Sequence, residues 1–183
     1  MVILWAAHAI WRSRYKPFKV NPNHAETPMA MSQKERLEKL WQIGPMMVAG
    51  TPHGAELGMK FVSIDIGRAA LSLPYNKALI GNPKTGVLHG GAITTLLDQA
   101  CGLAAIAGFE QPTSTATLNL SIDYMRAAKP GETIIARAHC YKATRHVAFI
   151  RAFAHDGDEE DPLATAQATF MATSRPAAQG KNS

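Results

Sequence analysis

Cysteine is scarce in this chain. Cys101 and Cys140 are the only two among 183 residues, one in an apolar run and one in an alternating run, which fits neither a disulfide framework nor a zinc-ligand spacing. Both are expected as buried thiols of a reducing compartment, read here as the cytoplasm. Charge is also sparse, at 18% Asp, Glu, Lys and Arg with a net +5. Four of those charges, Arg12, Arg14, Lys16 and Lys19, sit without a single acid in the first 25 residues. The remainder is nearly neutral, so the composition gives no support to a basic face for nucleic acid. The chain has no solenoid-period repeat and no Ser-centred nucleophile elbow, and His139 and His146 flank no ligand cluster. Metal-dependent and serine-hydrolase chemistries are disfavoured, and no metal or redox cofactor is expected.

The N-terminal run from Met1 to Trp11 falls short of the roughly 20 apolar residues that span a bilayer. Its positive charges follow it, where a secretory signal places them first. No transmembrane segment is expected. Three readings of the segment stay open: an amphipathic surface or partner-binding element, an organelle presequence, or residues ahead of the true start at Met29 or Met31. Residues 1–31 are expected as a weakly ordered basic extension and linker, 32–175 as one domain, and 176–183 as a polar tail.

Within the domain, Ser32-Gln33-Lys34-Glu35 fits a capping box, and Leu37, Leu40 and Trp41 keep helical spacing over 34–41. Gly50-Thr51-Pro52-His53-Gly54 marks a change of pattern. The pattern then becomes two-fold, predicting strands over 59–66 and 68–73, followed by a loop over 74–88. After Gly108 and Pro112 come strands over 114–126, 133–144, 146–155 and 163–173. In the first of these, strict alternation puts Leu118, Leu120, Ile122 and Tyr124 on one face and Thr117, Asn119, Ser121 and Asp123 on the other. The acidic stretch from Asp156 to Pro162 reads as a solvated loop. The expected class is α+β, an antiparallel sheet wrapped around one long helix.

That helix carries the chemistry. Gly86-Val87-Leu88-His89-Gly90-Gly91 turns into a segment, Gly91 to Ala107, that is apolar all round, as in a helix buried within a domain. Asp98 lies about two turns inside it. An ionised carboxylate buried without partners costs many kcal/mol, so Asp98 must be neutral, paired or facing a wet cavity. A wet cavity reads as an active site. The glycine pair lets the N–H groups of the helix start approach a ligand closely, and unpaired donors there suit a developing oxyanion.

These residues resemble hotdog-fold acyl-CoA thioesterases of the phenylacetyl-CoA thioesterase-like group. The resemblance covers roughly residues 35–174 and rests on Gly86 to Gly91, on Leu97-Asp98, on Asn119 to Arg126, and on Lys129-Pro130-Gly131-Glu132. It implies a homodimer, often paired into a homotetramer, with the active site between two chains. Carried over by position, Asp98 is implied as the catalytic carboxylate, the Gly90 N–H as the oxyanion donor, and His89 as a neighbour of the thioester; Gly91, next to Gly90, is expected as a substrate-binding residue. Thr117 is implied as the hydroxyl that holds the water or the sulfur from the partner's side. Asn82 is implied to orient substrate or water, although Asn82 to Gly86 runs one residue longer than the family pattern.

Arg126, Arg145 and Lys142 are candidates for the CoA phosphates, since Arg suits phosphate geometry. Coenzyme A is part of the substrate, not a cofactor. Hydrolysis needs a nucleophilic water and a place for charge on the carbonyl oxygen; a carboxylate and helix-start N–H groups supply them. Asp98 acting as nucleophile through an anhydride is an equally open route. Bland roles stay open for His89, as a brace for its turn, and for Thr117, as a plain strand residue. Two other functions use the same fold: a non-catalytic acyl-CoA binding or sensing module, and dehydration of a hydroxyacyl thioester. Aryl and fatty acyl groups both remain open.

Overall fold

The computed structural model describes residues 32–110 and 114–173. The expected extension 1–31 and tail 176–183 lie outside the described residues.

Helix α1, Gln33–Ala49, opens on the expected capping box. The Ser32 hydroxyl accepts from the Glu35 N–H at 3.3 Å, and the Glu35 carboxylate accepts from the Ser32 N–H at 2.9 Å. The helix runs well past the expected 34–41, through Pro45. A mid-helix proline removes one hydrogen bond. The bare Gly44 backbone, against which the Phe61 ring packs, and the buried Leu40 and Val48 hold the fourth turn in place. Tertiary packing wins over propensity here. The next segment, given no element by the sequence pattern, forms a short helix α2, Pro52–Glu56, with proline at its start.

Strands β1, Lys60–Asp65, and β2, Arg68–Leu73, make the first hairpin. The 74–88 segment is more ordered than a loop: a 3₁₀ turn at Lys77–Leu79 leads to a small two-stranded ribbon, β3 at Ile80–Asn82 and β4 at Val87–Leu88. Helix α3, Gly90–Gly108, follows. Leu96, Leu97, Ala100 and Cys101 are fully buried in it; each leucine contributes about 1.5–3 kcal/mol of apolar burial. By length and composition α3 qualifies as a membrane span, yet its surface is taken up by the sheet.

Strands β5, Ser114–Tyr124, β6, Ile134–Ala143, β7, Val147–His155, and β8, Ala164–Thr173, complete a six-stranded antiparallel sheet ordered β1-β2-β6-β7-β8-β5. It lays alanines such as Ala136, Ala148 and Ala154 against α3. Small side chains at those positions allow a helix to sit close to a curved sheet. The expected α+β architecture, one sheet around one long helix, is the one observed.

Two local expectations change. A β-bulge between Thr117 and Asn119 breaks the strict alternation in β5. Thr117 pairs with Phe170 and Leu120 with Ala168, both inward positions, while Leu118 becomes the extra residue and is 56% exposed. Thr117 therefore points toward α3. The acidic stretch is also more than a solvated loop, because Asp156 is buried and forms a bidentate pair with Arg126 at 2.7 and 2.9 Å. The guanidinium holds that carboxyl well below its usual range, at about 2.

Candidate active site

Asp98 is half-buried on the face of α3 that turns toward β5. The Thr117 hydroxyl donates to its Oδ1 at 3.0 Å. The bulge makes this contact possible, since without it Thr117 would face away from the helix. Acid and hydroxyl belong to one chain. The resemblance implies a different task for Thr117, holding the water or the sulfur from the partner's side; within the chain its partner is Asp98.

The pair stands at the mouth of a cavity of about 370 Å³ between α1, α2, α3 and β5. Its rim is polar, with Thr51, His53, Thr95, Asp98, Gln99 and Thr117. Sequence reasoning missed four of these, Thr51, His53, Thr95 and Gln99. Thr95 and Gln99 share a helical stripe with Asp98, a signal present in the spacing. His53, 3.5 Å by Nε2 from the Thr95 hydroxyl, carried no signal because α2 was not expected. Gln99 donates to the Met47 carbonyl at 3.1 Å and to the Thr51 hydroxyl at 3.3 Å, fixing the α1–α2 corner over the cavity.

At the other end of the candidate set, His89 caps α3: its Nδ1 accepts the Gly91 N–H at 2.9 Å. That contact braces the turn, and His89 is exposed. A side chain at Gly91 would come within 2.9 Å of the same Nδ1, and one at Gly81 within 2.8 Å of the His89 backbone. Glycine at both positions is a packing requirement. The Gly90 carbonyl accepts from the Tyr124 hydroxyl at 2.8 Å and from the Thr94 hydroxyl at 3.1 Å. Its N–H, first in the helix, has no acceptor among the described residues. Asn82 is exposed, and its Oδ1 accepts the Lys84 N–H at 3.1 Å, which shapes the β3–β4 turn.

One chain does not bring Gly90 to Asp98. Eight residues of α-helix separate them, an axial rise of about 12 Å. The phosphate candidates also diverge. Besides Asp156, Arg126 pairs with the Asp161 carboxylate at 2.9 Å, so its guanidinium is committed within the fold. Lys142 and Arg145 are exposed near the C-terminal end of α3, where Gly108 packs on Cys140 and Ala143.

Cys101 lies about one turn from the acid, where burial, aided by the Asp98 charge, pushes its thiol up to about 12 and favours the neutral, unreactive form. Cys140 is only half-buried, against the expectation of full burial, and burial likewise raises its thiol. Among the described residues no group of three or more His, Cys, Asp or Glu side chains converges as a metal site. A larger cavity of about 720 Å³ lies on the far face of the sheet among Arg68, Arg137, His139 and Arg151, and it contains none of the candidate residues.

The chain resembles known proteins in sequence and fold. The family model described as Thioesterase superfamily matches residues 85–163. The medium/long-chain acyl-CoA thioesterase YigI of Escherichia coli K12 is 28% identical over 142 residues, covering 70% of this chain and 90% of the relative. A solved protein of Pseudomonas aeruginosa is 37% identical with a TM-score of 0.66, over 75% of this chain and 99% of that one. A thioesterase family protein of Silicibacter pomeroyi is 30% identical with a TM-score of 0.62, over 77% of this chain and 98% of its own.

Proposed function

The chain belongs to the thioesterase superfamily, and from that premise we propose that it hydrolyses acyl-CoA thioesters to free acid and CoA at a site shared by two copies of itself. The observation that carries this reading is the Asp98–Thr117 pair, 3.0 Å apart at the mouth of a cavity.

Asp98 takes a proton from water as the water attacks the thioester carbonyl, and Thr117 holds the carboxylate toward that water. The charge that develops on the carbonyl oxygen needs donors, and the free N–H at the start of α3 is the donor to hand. It must come from elsewhere, being about 12 Å from Asp98 of its own chain. Strand β5 supports a second copy as the source. It is an edge strand of 11 residues with no partner on its outer side among the described residues. The opposite edge, β1, is covered by α1, with Trp41 and Phe61 ring to ring at 5.4 Å. A long bare edge is a template for another strand.

Two β5 strands pairing antiparallel about a two-fold axis would set the Thr117 half of one against the Tyr124 half of the other. Tyr124 holds Gly90, so pairing carries each Gly90 loop toward the Asp98 of the other chain. His89 and Asn82 ride on that loop, and Lys142 and Arg145 remain the exposed candidates for the CoA phosphates. The sensing alternative leaves the Asp98–Thr117 pair without a purpose.

Free-thiol release from a panel of aryl- and alkyl-CoA esters tests the reading. The parent is expected to turn over at least one class, and Asp98→Ala, still folded, to lose at least about a hundredfold in kcat. Tight binding of CoA esters with no turnover would instead establish the sensing module.

A further inference from the structure

The acid at the cavity mouth is continued by a stripe on α3. Asp98, Gly102 and Ile106 follow at four-residue intervals and line one wall, with Leu103 beside them. Met47 and Val48 of α1 line the opposite wall, and Phe170 of β8 closes the side. Beyond its polar rim the lining is apolar apart from Thr115. Gly102 is the anomaly, because glycine in the middle of a helix weakens it relative to alanine. Here its bare Cα forms part of the cavity wall, and a Cβ at that position would come within 3.3 Å of the Phe170 ring.

Resting on the thioester reading above, we propose that this channel receives the acyl chain of a straight-chain fatty acyl-CoA of about 8–12 carbons, with Gly102 setting its depth. Two measures of the channel agree. From Asp98 to Ile106 the helix rises about 12 Å, the reach of roughly nine or ten carbons of extended chain at about 1.25 Å each from the C–C bond length. A volume of about 370 Å³ holds about a dozen groups of the ~30 Å³ that a water molecule occupies in the liquid. A phenylacetyl group would reach only partway to Ile106 and leave the apolar end unfilled. The thioester carbonyl then lies at Asp98 and Thr117, and the α1–α2 corner pinned by Gln99 roofs the chain.

The test is a ladder of acyl-CoA esters from acetyl to palmitoyl, with phenylacetyl-CoA included, read as kcat/KM for the full chain and two variants. The parent peaks between eight and twelve carbons. Gly102→Val moves the peak at least two carbons shorter and lowers decanoyl-CoA by at least tenfold, since each methylene kept out of apolar burial is about fourfold. Met47→Trp, on a surface helix, narrows the same channel from the other side and shortens the peak even if Gly102→Val does not fold. A peak at acetyl or phenylacetyl in the parent, or a peak unmoved in an active, folded variant, overturns the proposal while leaving thioester hydrolysis standing. Absence of turnover on every ester overturns both.

Discussion

At the scale of single residues, the site depends on which polar groups are free and which are committed. Thr117 gives its proton to Asp98 at 3.0 Å. Thr117→Val keeps the shape and removes that bond, so kcat on the best ester should fall about tenfold, the worth of about 1.4 kcal/mol of positioning, with KM little changed. An unchanged kcat in steady-state kinetics would make Thr117 a plain strand residue. Arg126 is committed to Asp156 and Asp161, so Arg126→Gln should lower the melting temperature by several degrees and leave KM for acyl-CoA unaltered. A raised KM without loss of stability would return Arg126 to the phosphates. The same pair predicts acid behaviour. Asp156 titrates at about 2 in the folded chain against 3.8 ordinarily; its folded pKa is depressed, so its contribution is complete above about pH 4 and disappears as pH falls toward 2. That contribution is about 2 kcal/mol. Denaturation midpoints measured from pH 5 to 2 should fall steeply in the parent and more shallowly in Arg126→Gln.

At the scale of elements, α1 and β5 position the site, and each departs from its local signals. Pro45 sits exposed in the fourth turn of α1, so Pro45→Ala should restore a backbone bond and raise stability by about 1 kcal/mol in urea unfolding. A loss would mean that the proline shapes the roof of the cavity. The capping box at Ser32 and the start of α3 at His89-Gly90-Gly91 were legible in the sequence because both are short-range and stereochemically specific. So was the anomaly of one acid in an apolar helix. The full length of α1 was not legible, because what extends it, Phe61 packing on Gly44, is a contact between segments distant in sequence. Nor was the inward turn of Thr117. Two-fold alternation through 117–124 is unbroken in residue type, and only pairing with β8 reveals that Leu118 is the inserted residue. The commitment of Arg126 was hidden for the same reason, since Asp156 lies thirty positions away.

At the scale of the whole molecule, one chain places two groups at opposite ends of β5, proposed above as halves of one site: an acid and hydroxyl beside a channel, and an N–H at a helix start with no acceptor among the described residues. The account centres on their union across two chains, and mixing two inactive variants tests it most directly. Asp98→Ala lacks the acid but keeps an intact Gly90 loop; Gly91→Val keeps the acid but places a side chain on His89 Nδ1. Mixed before refolding in equal amounts, half the dimers would be heterodimers, each with one site that takes its loop from the first variant and its acid from the second. Roughly a quarter of the parent's thiol-release rate should return in the mixture by statistical pairing. A mixture that remains as inactive as either variant alone, with heterodimers demonstrated by a tag on one partner, would contradict the account and place the whole site within a single chain.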